Sequence, residues 1–339
     1  MSERRIAVVI PSWNTLAHLP RCLASLRDQK PELELLVVDN GSSDGSVDLL
    51  KSEGVPHLAL PRNLGFAAAV NLGVKQTAAP AILVLNADTE LEPGCVETLL
   101  AALDRDTGLG GVQPRILQLE EGEIRQPEGR GLAGAGSQGE STRDPDAARI
   151  YSVGQALTRD GRAYEIDAAK APQASHGDAS EVFGVCGAAC LLRRELFSEL
   201  GGYDESYFSF YEDVDLNVRA RIAGYRFEYV PDAVVWHVGN ASWSSGFERP
   251  AAENARLVAR NRLATQIKFM PLGAAPRIAA VEVGALGRAA AQRRLRATLG
   301  GKIAAIRRLP RLRRERQRLR RTGDLGRARR WLGAEGETV

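Results

Sequence analysis

Short runs of consecutive apolar residues alternate with helix-like segments through the first quarter of this 339-residue chain. Strands that are aliphatic throughout are covered on both faces, which is typical of a parallel sheet enclosed by helices. The pattern predicts the order β-α-β-α-β-α-β, with strands at 6–10, 33–39, 56–61 and 81–86 and helices at 15–28, from 44, and at 66–77. The sequence therefore predicts an α/β fold whose ligands bind beyond the carboxyl ends of the strands.

Polar residues follow each of these four strands. They are PSWN at 11–14, DNGSSD at 39–44, RNLG at 62–65 and NAD at 86–88. Each group alone could be a turn or a helix cap. Because parallel strands end at one edge of the sheet, we expect the four groups to line one crevice.

The middle of the chain has little apolar periodicity. Residues 118–181 are rich in Gly, charged and small residues, and we expect a partly mobile insertion that is either a lid or acceptor-facing loop or a tolerated surface insertion. Within it, Arg159, Asp160 and Gly161 suit the turn of a hairpin. Beyond it we expect a strand over 182–192 and a helix over 193–200.

Residues 213–222 alternate apolar and polar side chains, a pattern that alone indicates a strand. We predict a helix instead, because acids begin the segment, arginines occur near its end, and Gly224 follows. Val214, Val218 and Ile222 would then form one stripe, with other apolar residues roughly opposite. The helix should be buried on two sides.

Carboxylates stand beside aromatic residues at the start of this helix. Glu212, Asp213 and Asp215 follow the aromatic-rich segment 207–211. Burial there would raise the pKa of a carboxyl group and improve it as a base for a hydroxyl proton. The alternative is an acidic helix N-terminus, with Asp215 paired to Arg219. His237 follows a further strand-like run at 233–236, and is either structural or a ligand.

The last 89 residues differ in charge from the rest. Residues 251–339 hold 22 Lys and Arg against 6 Asp and Glu, a net charge of +16, so residues 1–250 carry −13 of the total of +3. The segment is helical in propensity, with a thin apolar stripe at Ile306, Leu309, Leu312 and Leu319. It suits an anionic membrane surface. The alternatives are a nucleic-acid contact, a solvated helical appendage or an oligomer contact, but we expect no nucleic acid, because aromatic residues are few and the body is acidic.

Other sequence features concern the compartment. Pro11 interrupts the N-terminal apolar run too early for a signal peptide, and no run of eighteen apolar residues occurs. The four cysteines lack paired spacing and are expected to be reduced thiols. We expect a cytoplasmic protein, peripheral on the inner face of the cytoplasmic membrane.

Six sequence blocks occur in order over about residues 5 to 245. They are VVIPSWN, LLVVDNGSSDGS, RNLGFAAAVNLG, LVLNADTELEPG, VCGAACLLRRELF and YEDVDLNVRARIAGYRFEYVPDAVVWH. Together they resemble glycosyltransferase family 2, whose members are inverting, nucleotide-sugar-dependent enzymes with the Rossmann-like GT-A fold, and most of all its bacterial rhamnosyltransferase-like branch. The resemblance implies a catalytic domain over 1–250, with a mixed, mostly parallel sheet, followed by the basic helical tail over 251–339.

The resemblance also implies roles for single residues. Pro11, Ser12 and Asn14 would border the nucleotide, Asp39 would bond the pyrimidine edge, and Arg62, Asn63 and Asn71 would lie along the ribose and diphosphate. Asn86, Ala87 and Asp88 occupy the place of the family's D-x-D motif, with Asp88 coordinating Mg²⁺ or Mn²⁺. Asp213, next to Glu212 in the E-D motif, would be the general base, and His237 would complete the metal site.

These roles give an inverting glycosyltransferase that moves a sugar, with rhamnose a candidate, from a UDP or dTDP donor to a hydroxyl of a lipid-linked or cell-surface polysaccharide acceptor. Asn86 departs from the D-x-D pattern and leaves less charge for the metal. The alternative is therefore a catalytically inactive scaffold that binds nucleotide sugars at the membrane surface.

Overall fold

Alternate residues of the first apolar run face two different cores. In this computed structural model, which describes residues 5–119, 143–168, 170, 178–239 and 251–333, Ile6, Val8 and Ile10 pack into one core and Val9 into the other. Continuous apolar strands need such double coverage. The predicted parallel strands are present as β1 (Ile6–Ser12), β2 (Leu33–Asp39), β3 (His57–Ala59) and β4 (Ala81–Leu85), in the spatial order β3-β2-β1-β4.

The sheet continues beyond β4 with strands of mixed direction. The antiparallel β11 (Ala189–Arg193) lies next to β4, and beyond it come β6 (Leu109–Gln118), the parallel β12 (Arg226–His237) and the edge strand β10 (Ser180–Val182). Two further strands pair at the end of the sheet, β5 (Thr89–Leu91) with β12 and β7 (Ile150–Ser152) with β6. The expected α/β class and mixed sheet are confirmed.

Helices cover both faces of the sheet, as predicted. The first core packs under α1 (Leu19–Leu26), α2 (Ser46–Ser52) and α4 (Cys95–Arg105). The second packs under α3 (Phe66–Lys75), α5 (Arg194–Glu199) and α6 (Glu212–Ala223). The helices expected at 15–28, from 44, at 66–77 and at 193–200 are therefore present, with shorter bounds.

The helix that we predicted over 213–222, despite the alternating pattern, is confirmed as α6. Val214, Val218 and Ile222 pack on one side, in a core shared with the C-terminal helices. Leu216 and Ala220 pack on the other, in the core beneath the sheet. Burial on opposite sides explains why the sequence alternates.

The single strand expected over 182–192 is wrong. Residues 183–188 leave the sheet between β10 and β11 and cross α6, where the backbone N–H of Gly187 donates to Asp213. The expected hairpin is confirmed: β8 (Gln155–Leu157) and β9 (Ala163–Glu165) pair antiparallel around the turn at 159–161. The part of the insertion over 120–142 lies outside the described residues.

Over its described residues, 251–333, the basic tail forms five α-helices. They are α7 (Ala251–Phe269), α8 (Ala275–Ala291), α9 (Leu295–Arg307), α10 (Leu309–Thr322) and α11 (Leu325–Arg329). Phe269 and Leu325 pack on α6, and the buried Lys268 of α7 lies 2.7 Å from Asp215 of α6. Asp215 also bonds Arg219, as predicted. Across the described ranges, no helix has both the length and the apolar character that crossing a bilayer requires.

Candidate active site

The four predicted strand ends meet in one crevice at the carboxyl edge of the sheet. Seven of the predicted site residues line it, namely Pro11, Ser12, Asn63, Asn86, Ala87, Asp88 and His237. Eight further residues complete the lining: Trp13, Thr15, Asn40, Phe66, Tyr151, Ser209, Phe210 and Asn254. The crevice therefore combines the sheet edge with the insertion, the aromatic segment and the tail.

Buried amides hold the strand-end loops together. Asn14 accepts from the backbone N–H of Ser43 at 2.8 Å. Asn40 accepts from Leu64 N–H at 2.8 Å and donates to the Gly65 carbonyl at 3.1 Å. Since each bond joins two different strand ends, the rim is fixed before any ligand binds.

Asp39 presents one free acceptor at this rim. Its Oδ1 accepts from the backbone N–H groups of Gly41 and Ser42 at 3.1 and 2.9 Å. Its buried Oδ2 has no hydrogen-bond partner among the described residues. A buried acceptor without a donor is costly.

Asp88 and His237 meet at the floor of the crevice. β5 pairs His237 directly with Thr89, the neighbour of Asp88, and this register brings Asp88 Oδ1 to 3.3 Å from His237 Nε2. Burial would raise the pKa of Asp88, but the nearby imidazole outweighs it and the pKa is lowered. Asn86 Nδ2 lies 3.3 Å from the same Nε2. Tyr151 packs edge-on against the imidazole.

Asp88 and His237 are side chains that could hold a divalent cation together. Within the described ranges, no three His, Cys, Asp or Glu side chains gather as a ready-made metal site. Asp88 Oδ1 and His237 Nε2 are nonetheless 3.3 Å apart, and ligands about 2.1 Å from an octahedral ion lie about 3 Å from one another. Mg²⁺ often takes one or two protein ligands and completes its shell with phosphate oxygens and water. The pair fits a cation that is shared with a bound diphosphate.

Asp213 is on the first turn of α6 and is not among the residues that line the crevice. Its Oδ2 accepts from Gln155 Nε2 at 2.7 Å and from Gly187 N–H at 3.0 Å, and its Oδ1 accepts from Val214 N–H at 2.8 Å. Burial raises the pKa of Asp213, although these bonds oppose the rise. Glu212, the neighbouring residue, is also buried.

Tyr151 lies in the crevice beside His237. Its ring lines the crevice, and burial raises the pKa of its hydroxyl, with charges on Glu165, Asp88 and Asp213 adding to the rise. Asp88 and Asp213 therefore both act on one tyrosine. Residues 150–166 of the insertion bring this tyrosine and Gln155 to the site.

A second carboxyl group lies close to Asp213. Glu165 of β9 accepts from Gln155 Nε2 at 3.0 Å and from Ser152 Oγ at 2.6 Å, so Gln155 bridges the two carboxyl groups. Burial, with the charge of Asp213, raises the pKa of Glu165 to about 7. The sequence held no sign of this pair, because its members are 48 positions apart.

Six predicted site residues are outside the crevice lining: Asn14, Asp39, Glu212 and Asp213, described above, and Arg62 and Asn71. Arg62 is exposed on the rim. Asn71 is buried and uses its amide on the protein itself: it accepts from Tyr203 N–H at 2.9 Å and donates to the Tyr203 carbonyl at 2.9 Å and to Glu205 at 3.0 Å. Its side chain fixes the segment before the aromatic loop.

The aromatic loop 207–211 reaches the crevice through Ser209 and Phe210. Phe208, Phe210 and Tyr211 all have positive φ angles, of 67°, 69° and 70°, a conformation that side-chain-bearing residues rarely adopt. The loop lies against Gly65, where an added Cβ would overlap the Phe208 carbonyl. Such a conformation needs support from outside the loop.

That support comes from α7 of the tail. Asn261 Nδ2 donates to the carbonyls of Tyr207, Ser209 and Phe210 at 2.9, 2.9 and 2.7 Å. Arg260 donates to the Tyr207 carbonyl as well. Sequence reasoning missed Asn254 and Asn261, since both lie in a segment that its charge marks as a surface tail.

Comparison with known proteins identifies the family. The model of "Glycosyl transferase family 2" matches residues 7–201. The chain is 30% identical over 249 residues to N-acetylglucosaminyl-diphospho-decaprenol L-rhamnosyltransferase of Mycobacterium tuberculosis, which covers 68% of this chain and 75% of that relative.

Two solved structures share the fold. One is TarS 1-349 of S. aureus in complex with UDP-GlcNAc, with a TM-score of 0.54 and 13% identity, covering 96% of this chain and 89% of that one. The other is GalNAc-T7 with UDP, GalNAc and Mn²⁺, with a TM-score of 0.54 and 18% identity, covering 76% of this chain and 48% of that one. The expected GT-A fold and family are thereby confirmed. The chain belongs to glycosyltransferase family 2 and is an enzyme that transfers a sugar from a nucleotide-sugar donor.

Proposed function

We propose that this protein is an inverting glycosyltransferase that moves a sugar from a UDP or dTDP donor to a hydroxyl of a lipid-linked or cell-surface polysaccharide acceptor. The observation that carries the proposal is the meeting of Asp88 and His237, 3.3 Å apart, in a crevice whose other wall is made of the strand-end loops. L-Rhamnose is the first sugar to test and a polyprenyl diphosphate sugar the first acceptor, because both occur in the name of the mycobacterial relative.

The nucleotide is placed along the strand-end loops. Pro11, Ser12 and Asn14 border it, and the free Oδ2 of Asp39 accepts from the base. Uracil and thymine carry a ring N–H that suits this acceptor, whereas cytosine offers no ring N–H on its pairing edge. Asn63, with Arg62 on the rim, lies toward the ribose and diphosphate.

Asp88 and His237 are proposed to hold Mg²⁺ or Mn²⁺ together with the diphosphate oxygens. When bound, the cation would neutralise the negative charge that develops on the leaving diphosphate. Asn86 contributes a neutral amide beside the imidazole, so the protein supplies one negative charge to this site. We therefore expect tighter metal binding with the nucleotide present than without it.

Asp213 is proposed as the general base. The acceptor oxygen attacks the anomeric carbon from the face opposite the diphosphate, the bond from that carbon to the phosphate oxygen breaks, and the hydroxyl proton passes to Asp213. A carboxylate offers about four lone-pair positions, of which three are taken by Gln155, Gly187 and Val214. One position remains for the acceptor hydroxyl. Glu212 is the neighbouring carboxyl group of the same motif.

The test pairs a donor screen with one substitution. Binding of UDP and dTDP sugars is followed by calorimetry with and without Mn²⁺, and release of nucleoside diphosphate is measured with acceptor present. Asp213→Asn should leave donor binding unchanged and lower kcat by about 10²- to 10⁴-fold. The exposed Asp232→Asn is the matched control. Unchanged turnover of Asp213→Asn would refute the base assignment, and donor binding without turnover by the unaltered protein under every condition would favour the inactive scaffold.

The enzyme is further proposed to work in the cytoplasm, at the inner face of the membrane, where a lipid-linked acceptor would be available. The net charge of +16 over residues 251–339 supports attraction to anionic lipids. Association with an anionic surface would raise the local concentration of enzyme near that acceptor.

A further inference from the structure

The tail exposes large apolar side chains in one region. Among the described residues, seven large hydrophobic side chains are exposed, and six of them lie between residues 272 and 306. They are Leu272, Val283, Leu295, Leu299, Ile303 and Ile306. Exposed apolar surface marks interaction sites when it is concentrated in one part of a protein, so this part of the tail is where a partner would bind.

On helix α9 the large aliphatic side chains face outward, whereas such side chains usually face the protein. Leu295, Leu299, Ile303 and Ile306 follow one another at helical spacing and are 37% to 56% exposed. The opposite side is buried and consists of Thr298, Gly301, Lys302 and Ala305, and at Gly301 an added Cβ would overlap the Arg256 carbonyl of α7. A helix that only packed on the protein would turn its large side chains inward. The outward stripe is therefore not covered by the described residues and is available to a partner.

Helix α8 extends the same uncharged surface. Between Arg277 and Arg288 its one ionisable residue is Glu282, which is buried and paired with Arg262 at 2.8 Å and with Lys302. Exposed positions in that interval carry Ala, Val and Gly. The only acid of the helix is thus turned away from the surface and neutralised inside.

The charges around this surface have one sign. Every exposed ionisable residue between 272 and 307 is an arginine, namely Arg277, Arg288, Arg293, Arg294, Arg296 and Arg307. An apolar centre with a cationic rim complements a bilayer whose headgroups are anionic and whose interior is apolar. The same rim disfavours a second copy of this chain, which would bring six arginines against six.

We propose that the outward faces of α8 and α9, defined by the six apolar residues and the six arginines above, insert into the headgroup region of an anionic membrane. The surface would also bring the enzyme to a lipid-linked acceptor. This role, unlike membrane binding itself, rests on the proposed function. The docking surface is not the stripe that the sequence indicated: Leu312 is buried and Leu319 packs inside the tail, so only Ile306 belongs to both.

The test measures binding of the full-length protein to vesicles. Sedimentation with phosphatidylcholine vesicles containing phosphatidylglycerol is compared for the unaltered protein and for the double variant Leu299→Gln with Ile303→Gln. We expect at least about a tenfold weaker partition, since two aliphatic side chains no longer enter the lipid. Leu16→Gln is the matched control, because Leu16 is 37% exposed but lies far from the tail in sequence, near α1. Thermal unfolding should be unchanged, as the altered side chains face solvent.

Three further measurements separate the alternatives. Replacing Arg293, Arg294 and Arg296 with Gln should remove most of the preference for phosphatidylglycerol over phosphatidylcholine. Sedimentation velocity reports self-association, and a dimer that the double variant dissociates, with vesicle binding intact, would overturn the proposal. Equal vesicle binding by the double variant and the unaltered protein would also overturn it. The inactive Asp213→Asn variant should bind vesicles normally, so failure of the proposed catalysis and failure of the membrane surface give different results.

Discussion

Replacing Asn261 tests whether helix α7 of the tail holds one wall of the crevice in place. Its two amide protons serve three carbonyls, those of Tyr207, Ser209 and Phe210, at 2.7 to 2.9 Å. In Asn261→Ala the Tyr207 carbonyl keeps Arg260 at 2.6 Å, and the other two lose this donor. Each partly buried carbonyl left without a donor costs about 1 kcal/mol or more, so the loop should lose roughly 2 kcal/mol of support.

A loop with three positive φ angles will not keep its conformation against that loss, because such conformations cost of order 1–3 kcal/mol each. Ser209 and Phe210 then withdraw from the crevice wall. If about two-thirds of the lost support holds the crevice wall in its binding conformation, the Kd for the nucleoside diphosphate rises about tenfold, which corresponds to about 1.4 kcal/mol. Calorimetry with UDP and with dTDP, in the presence of Mn²⁺, measures this change directly.

The control must destabilise the same helix without touching the loop. Gln266 serves, because it lies on α7, is buried, and donates to the Asp160 carbonyl at 3.0 Å. Gln266→Ala should unfold at a lower temperature and bind nucleotide as the unaltered protein does. Asn261→Asp, which sets an acceptor against the carbonyls, should be at least as damaging as Asn261→Ala. The reasoning fails if Asn261→Ala is destabilised like Gln266→Ala but keeps its nucleotide Kd.

Two further predictions concern buried charges. Burial would lower the pKa of Lys268, but Asp215 outweighs it and raises the pKa. Lys268→Met leaves Asp215 paired with Arg219 alone and should cost about 1–3 kcal/mol in denaturant unfolding, against less than about 0.5 kcal/mol for the exposed Lys75→Met. Burial and Asp213 raise the pKa of Glu165 from 4.5 to about 7, so this group stabilises the fold below about pH 4.5 and loses that contribution as the pH rises through about 7. Glu165→Gln should therefore show a smaller fall in unfolding free energy between about pH 5 and pH 8, measured in urea; an unchanged pH dependence would contradict this.

The parts of the site that lie on strand ends could be predicted from the sequence. Asp88 and His237 are 149 positions apart, yet each follows a strand, and the carboxyl ends of the strands share one edge of the sheet. The helical prediction for α6 also succeeded, because its terminal signals outweighed the alternation that burial on two sides imposes. Contacts such as the bridge from Gln155 to Asp213 could not be predicted, since they depend on how an insertion folds back over the sheet.

The apolar face of a helix is usually the buried one. Two helices of the tail, α7 and α9, show the opposite arrangement. On α7 the buried residues Asn254, Asn261, Thr265 and Lys268 recur at helical spacing, so a polar stripe faces the protein. It does so because what it meets is polar: the carbonyls of the aromatic loop, the Tyr207 hydroxyl and the Asp215 carboxylate. On α9 the large aliphatic residues face outward. Buried polar side chains need hydrogen-bond partners, and exposed aliphatic side chains are stabilised when another surface buries them. The arrangement on α7 and on α9 therefore indicates partners that the local sequence pattern does not show. The first partner is the crevice loop, and the second, in our proposal, is lipid.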